Sequence, residues 1–320
     1  MTEKKQTMRE LLESVALYPR NTIIAKKRLA PKIYEMEVYA PIAIHNAEPG
    51  QFVNVLVHEQ GKKIPLTIAD SNEKTGILTL IFQAGSDLVT NGVSTKRMAT
   101  LNVGNTLHSI VGPLGQPSEI KKYDGTIICV AGGVGIAPMY PVVRALKEAG
   151  NKIILILGAR EEKFLFWEEK IRPYADKMFV CIEEGAVKNG RVIGRVTPTL
   201  SRMIKLCLYK GDFSHVFGVG PIPMLKAIAE ETKKRDVKYI ASAVAMMVDG
   251  TGMCFGCQYN IGEKTFRLCV DGPEVDGNAI DWETLNLRLN QFRAQETDAM
   301  KEFVKTDLYQ TFLAQEEVPL

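Results

Sequence analysis

The sequence contains no long apolar run. Nothing in its 320 residues approaches the roughly 20 uninterrupted apolar residues that cross a bilayer. Even Ile153–Leu157 is short and strand-like, so membrane insertion is not expected. Residues 1–20 mix Lys4, Lys5, Glu10 and Glu13 into a short amphipathic stretch with nothing like a signal peptide, which makes the cytoplasm the expected compartment. Net charge is also scarce: 40 Lys and Arg against 37 Asp and Glu leave +3, too little to suggest a nucleic-acid partner. Internal repeats and low-complexity segments are absent.

Cysteine is sparse and unevenly placed. Cys129, Cys181 and Cys207 stand alone in apolar surroundings and read as small core residues. Cys254, Cys257 and Cys269 lie close together. In a chain without a secretion signal, that spacing favours a metal or iron-sulfur site over disulfides, because a reducing compartment keeps thiols free.

What is present is ordinary globular composition, 46% apolar and 24% charged, in a chain too long for one compact domain. After an N-terminal extension (1–21), residues 22–120 carry short alternating runs such as Tyr34-Glu35-Met36-Glu37-Val38 and Leu78-Thr79-Leu80-Ile81-Phe82, separated by Pro and Gly. That pattern predicts an antiparallel β-barrel. From 121 to 242 the rhythm becomes apolar strand, glycine turn and helix, with strands at Thr126–Ala131, Lys152–Leu157 and His215–Val219. A βαβ series of this kind implies a parallel-sheet, Rossmann-like domain. Residues 243–280 are rich in Gly, Cys and Asp, too irregular for a third such unit and too short for their own core, so a cofactor is expected to organise them. The tail, 281–320, reads as helix, with Leu285, Leu289 and Phe292 and then Phe303, Leu308 and Phe312 at near-helical spacing.

Three constellations carry chemistry. In Asp249-Gly-Thr-Gly-Met-Cys254-Phe-Gly-Cys257, followed by Cys269, the spacing matches the plant-type ligand loop for a 2Fe-2S cluster, with Asp249 in the first ligand position. Glycines at 250, 252 and 256 let backbone amides turn toward the sulfides, and a carboxylate oxygen can coordinate iron. A three-cysteine zinc knuckle or three unligated thiols would leave the same signature. Second, Gly132-Gly133-Val-Gly135-Ile-Ala137-Pro138 joins a strand to a helix, where exposed amides and the helix dipole favour a pyrophosphate. A second turn, Gly218-Val-Gly220-Pro221, would line the same cleft, although tight turns without a ligand are also common in α/β folds. Third, Pro65-Leu66-Thr67, taken with Ser94-Thr95-Lys96 and with residues 112–115, offers an apolar wall and a hydroxyl for an isoalloxazine ring. An ordinary edge strand opened by proline would look the same.

With these residues in place, the chain resembles the ferredoxin-NADP reductase superfamily over 22–240. With its cysteine segment it resembles the branch that holds the dihydroorotate dehydrogenase electron-transfer subunit, the sulfide dehydrogenase small subunit and the small subunit of NADH-dependent reduced ferredoxin:NADP oxidoreductase. The resemblance implies an FAD barrel, an NAD-binding domain and a C-terminal 2Fe-2S segment. In that superfamily the flavin motif is R-x-[YF]-[ST]; here Thr67 matches the hydroxyl and Ile64 replaces the arginine that meets the FAD pyrophosphate. Ser94, Thr95 and Lys96 stand where the family places its second flavin-phosphate segment. Gly132, Gly133, Gly135, Ala137 and Pro138 match the dinucleotide pocket, and Gly218, Gly220, Pro221 and Met224 match its later turn. Asp249, together with Val270–Gly277, resembles the bifurcating transhydrogenase, whereas a cysteine at the first cluster position is typical of the dihydroorotate-linked subunit.

Arg160, followed by Glu161 and Glu162, lies where the family reads the adenosine ribose. Carboxylates there disfavour a 2′-phosphate, so NAD(H) is expected, with Arg160 open either to a phosphate or to pairing with Glu161 or Glu162. The implied function is electron transfer between NAD(H), FAD and the cluster, without a protein nucleophile. The implied partner is a larger flavin and iron-sulfur oxidoreductase subunit, with ferredoxin reached indirectly. Dihydroorotate dehydrogenase and sulfide dehydrogenase are alternative settings, and a non-catalytic redox-sensing module is an alternative of another class. The N-terminal extension and the tail beyond Arg293 are expected to be docking elements, and Phe303, Leu308, Tyr309 and Phe312 cover either this chain's own surface or another subunit's.

Overall fold

The computed structural model describes residues 18–85, 92–186 and 190–318. The first part of the chain forms strands β1 (Thr22–Ala30), β2 (Ile33–Tyr39), β3 (Phe52–Leu56), β4 (Lys63–Thr67), β5 (Asp70–Asn72), β6 (Ile77–Gln83) and β7 (Ser109–Leu114), with helix α1 (Val93–Thr100). They build two antiparallel sheets, ordered β1-β2-β6-β5 and β4-β3-β7. Alternation decides what lies inside: Ile23, Met36, Val38, Val53, Val55, Leu78 and Leu80 are fully enclosed in one core, each 0% exposed.

The second part contributes β8 (Thr126–Gly132), α2 (Ile136–Glu148), β9 (Lys152–Ala159), β10 (Lys177–Ile182), β11 (Val192–Ile193), α3 (Val196–Tyr209), β12 (Phe213–Val219), α4 (Ile222–Lys233) and β13 (Tyr239–Ser242). Every residue of β8 is buried, because the sheet is covered on both faces. Ile127, Cys129 and Ala131 face α2, whereas Ile128 and Val130 face α3 and α4. Ala30, Ile33, Ala69 and Ile81 of the first part share the α2-side core, so the two parts pack directly.

The cysteine segment does more than surround a cofactor. After a hairpin, β14 (Gln258–Ile261) and β15 (Lys264–Arg267), it adds β16 (Glu274–Asp276) antiparallel to β13, with Ile240 opposite Asp276 and Ser242 opposite Glu274. Cys257, Tyr259, Leu268 and Cys269 join the α3-side core. Among the described residues this gives a seven-stranded sheet ordered β11-β10-β9-β8-β12-β13-β16, parallel except at β16.

The tail is three helices rather than one: α5 (Trp282–Leu289), α6 (Arg293–Phe303) and α7 (Asp307–Glu317). Asp281 caps α5 by accepting from the amides of Glu283 and Thr284. Phe303 and Phe312 are 2% exposed, and Phe312 completes the barrel core. Arg97 of α1 lies over the Phe303 ring, and the Arg28 guanidinium donates to the carbonyls of Gln315 and Glu316. The apolar set of the tail therefore covers this chain's own barrel, with Leu308 left 38% exposed. Of the N-terminal extension, residues 1–17 lie outside the described residues. Among the described residues no helix is long and apolar enough to cross a membrane.

Candidate redox site

The cysteine loop is shaped by its glycines. Gly250 and Gly252 hold φ of +90° and +85°, a region that favours residues without a Cβ. A Cβ on Gly252 would lie 2.6 Å from Val270, so the loop packs as tightly as glycine allows. Cys257 and Cys269 are each 2% exposed, and the Cys269 amide donates to Cys257 Sγ at 3.4 Å. Cys254 is exposed and accepts from the Gly256 amide at 3.4 Å. Burial, then the Cys257 and Cys254 sulfurs beside it, pushes the Cys269 thiol up to about 12. A thiol held protonated by burial, as Cys269 is, would be deprotonated on binding a cation.

Among the described residues no three His, Cys, Asp or Glu side chains converge on one ion-sized point. Asp249 is placed differently from the thiols. Its Oδ2 accepts from the Thr251 amide at 3.0 Å, the Met253 amide at 3.3 Å and the Thr251 hydroxyl, which together hold its carboxyl below the usual range.

The two glycine turns interlock at the ends of β8 and β12. A Cβ on Gly132 would lie 2.5 Å from Met224 Sδ, one on Gly220 2.6 Å from Met224 Cε, and one on Gly135 2.5 Å from the Val219 carbonyl. Those three glycines serve close packing. Gly133 differs: its φ is +55° and nothing lies within 4 Å of a Cβ position, so its backbone is open to an approaching group. Ala137 and Pro138 follow in the first turn of α2, and Pro221 precedes α4. Gly218 is pressed against the Tyr239 ring.

Arg160, at the end of β9, pairs with Glu184 at 3.2 Å instead of with Glu161 or Glu162. Glu162 instead meets Arg191, which also binds Glu168 at 2.8 Å, tying together the loops after β9 and before β11. Arg191 was not singled out from the sequence, and only its folded partners identify it. A cleft of about 560 Å³ opens beside this triad, lined by Glu162, Trp167, Lys170 and Arg191 among others, and away from the glycine turns.

Pro65, Leu66 and Thr67 lie on β4, with Pro65 opposite Asn54 and Thr67 opposite Phe52 of β3. Ser94, Thr95 and Lys96 form the first turn of α1. The Thr95 hydroxyl accepts from the Gly85 amide at 3.2 Å and donates to the Gly92 carbonyl at 3.0 Å, while the Lys96 amide donates to that same carbonyl at 2.9 Å. Position 64 offers no cation, but Arg97 and His108 lie close enough to His58 to help burial hold its ring below its ordinary value.

Comparison with known proteins agrees with this layout. Residues 129–230 match the oxidoreductase NAD-binding domain, and 245–281 match the iron-sulfur cluster binding domain of dihydroorotate dehydrogenase B. Over 286 residues the chain is 35% identical to a Thermotoga maritima homolog of the dihydroorotate dehydrogenase B (NAD(+)) electron transfer subunit, covering 89% of this chain and 96% of that one. The chain belongs to the dihydroorotate dehydrogenase B electron-transfer subunit family. The family's Shouchella clausii electron transfer subunit is 29% identical over 263 residues, 79% of this chain and 94% of its own length. A chain of the structure of the NADH-dependent reduced ferredoxin-NADP oxidoreductase, solved for insight into flavin-based electron bifurcation, is 33% identical with TM-score 0.80, covering 91% of this chain and all of that one. The flavohem-like FAD/NAD-binding domain of a Vibrio cholerae nitric oxide dioxygenase, 14% identical with TM-score 0.56, shares the fold.

This electron-transfer subunit is thus an oxidoreductase component of ferredoxin-reductase-like fold. Its nucleotide-binding and iron-sulfur segments contain both glycine turns and all four candidate cluster ligands. The cluster segment is fastened to the barrel. Gln116 donates from its amide to the Gly272 carbonyl at 2.7 Å and from its side chain to the Val270 carbonyl at 2.8 Å. Ser118 donates to the carboxylate of Glu274, a half-buried residue at this joint. Burial there raises the Glu274 carboxyl to about 7.

Proposed function

We propose that this subunit moves electrons between NAD(H), FAD and a 2Fe-2S cluster, and exchanges them with a larger flavin and iron-sulfur subunit of a bifurcating ferredoxin:NAD(P) transhydrogenase. The supporting observation is a junction: the Gly250 backbone of the cluster loop rests on Asn54 and Leu114, beside the β4 strand that carries Pro65, Leu66 and Thr67. Two of the three candidate motifs, far apart in the chain, meet there, and the cluster segment also adds β16 to the sheet that carries the glycine turns. FAD, when bound, supplies the conversion between two-electron hydride chemistry and single electrons.

In this reading, Gly133 and the first turn of α2 receive the dinucleotide phosphates, with Gly132, Gly135, Ala137, Pro138, Gly218, Gly220, Pro221 and Met224 shaping the turns around them. Arg160 lies at the adenosine ribose, and Glu161, Glu162 and Glu184 around it favour NAD(H). Pro65, Leu66 and Thr67 wall the flavin ring. Ser94, Thr95 and Lys96 take the phosphates that an arginine at position 64 would otherwise meet. Cys254, Cys257, Cys269 and Asp249 hold the cluster, Asp249 through the oxygen not committed to its own loop. The boundaries that go with this reading are 22–120 for the flavin barrel, 121–242 for the nucleotide domain, 243–280 for the cluster segment and 281–320 for the tail.

The larger subunit docks where the cluster loop meets solvent, on Val248, Met253, Phe255 and Leu287, which are 58%, 83%, 50% and 71% exposed. We place the complex in the cytoplasm, where all six cysteines stay unpaired. The names of the curated relatives favour a second setting, with dihydroorotate dehydrogenase as the partner. Copurification from the native cell decides between the two. For the relay itself, NADH should bleach the bound flavin of the purified chain and then produce the EPR signal of a reduced cluster; a flavin-loaded sample that does not bleach refutes it.

A further inference from the structure

We infer that Asn54 is a positioning residue that sets the cluster loop against the flavin strand, an inference that rests on the cofactor reading above. Strand β3 alternates as a barrel strand should, with Val53 and Val55 sealed in the core, so Asn54 points out of the barrel. It is nevertheless only 1% exposed. What covers it is the cluster loop: Asn54 Nδ2 donates to the Asp249 carbonyl at 3.1 Å across 195 residues of sequence. A Cβ on Gly250 would lie 3.1 Å from that same nitrogen and 2.9 Å from Leu114.

The other end of the amide, Oδ1, is buried with no hydrogen-bond partner. An asparagine kept with half of its amide unsatisfied is a poor choice for packing alone, since an apolar side chain of similar size would avoid that cost. The half that is satisfied fixes the backbone of the candidate first ligand. Directly across the ladder from Asn54 is Pro65 of the flavin motif, on the same face of the sheet. One side chain therefore joins the strand that walls the flavin to the residue that opens the cluster loop. The Asp249 carboxylate in turn accepts from the amides of Thr251 and Met253, so both its main chain and its side chain are held.

The test is Asn54→Leu in the full chain carrying FAD and cluster, followed by stopped-flow reduction with NADH and EPR of the reduced cluster. The expected result is flavin reduction at the wild-type rate, cluster reduction slower by about 10- to 100-fold, the scale on which groups that orient metal ligands act, and an altered EPR line shape. A merely structural role would leave that line shape unchanged. Should Asn54→Leu fail to fold, Asn54→Thr, smaller and suited to a strand, is read the same way. Wild-type transfer rates with an unchanged signal overturn the role of Asn54 alone. If the wild-type chain binds no FAD, or Cys257→Ser retains the cluster, the cofactor reading falls and this inference with it.

Discussion

Replacing Glu274 by Gln should make the subunit more stable at alkaline pH and leave it unchanged in acid. Glu274 sits on β16 where the cluster segment meets the barrel, with the Ser118 hydroxyl as its hydrogen-bond partner. Among the described residues, the Tyr123 phenol and the Cys129 thiol feel its charge, and neither supplies a positive one. Burial raises its carboxyl from 4.5 to about 7. Below 4.5 the folded and unfolded chains both hold the proton, so nothing is lost. Between 4.5 and about 7 the unfolded chain releases it while the folded chain keeps it, and stability falls as pH rises.

Above about 7 the carboxylate is ionised in both states and the loss is complete. At about 1.4 kcal/mol per pH unit this amounts to roughly 3 kcal/mol, a ceiling because the residue retains some exposure. With about 2.1 cal/mol/K of unfolding entropy per residue over 320 residues, that corresponds to a melting temperature about 5 °C higher for Glu274→Gln at about pH 8. The amide retains the Ser118 contact without the charge. Calorimetry of both proteins at several values between about pH 5 and pH 8 reads the effect. A constant offset between the two melting curves over that range would refute the reasoning, and the loss of a protonated-carboxyl infrared band in the variant would confirm the group.

Other outcomes can be checked directly. Gly135→Ala places a methyl 2.5 Å from the Val219 carbonyl, so it should weaken NADH binding in a fluorescence titration while flavin absorbance is retained; equal affinity removes the turn from the nucleotide site. Asp249→Cys should keep a 2Fe-2S cluster with shifted visible and EPR spectra, and unchanged spectra would remove Asp249 from the ligand set. Phe312→Ala empties a site 2% exposed in the barrel core and should cost about 3 kcal/mol in urea unfolding, with faster proteolysis of the tail; equal stability would mean that α7 only rests on the barrel.

Much of the molecule is written in short-range pattern. Two-residue alternation marks the barrel strands, the apolar run Thr126–Ala131 marks a strand covered on both faces, and the spacing of Cys254, Cys257 and Cys269 marks the cluster loop. Each of these signals comes from residues that are neighbours in the chain, where covalent geometry already limits the structure. The sequence also contained the clue to Asn54, a polar residue amid the apolar run Phe52–Leu56, but not its meaning. Likewise Glu274 stood in plain view in the Val270–Gly277 motif.

Tertiary structure alone decided what covers each of them. It made Glu274–Asp276, beyond the cluster loop, an edge strand of the nucleotide sheet, divided the tail into three helices that close on the barrel, and paired Arg160 with Glu184 and Arg191 with Glu162. Whether a polar atom finds water, a carbonyl or nothing depends on segments that arrive from far along the chain, as Asp249 arrives over Asn54 across 195 residues. Periodicity records which face of an element is buried, but the partner waiting on that face is settled only when the whole chain packs.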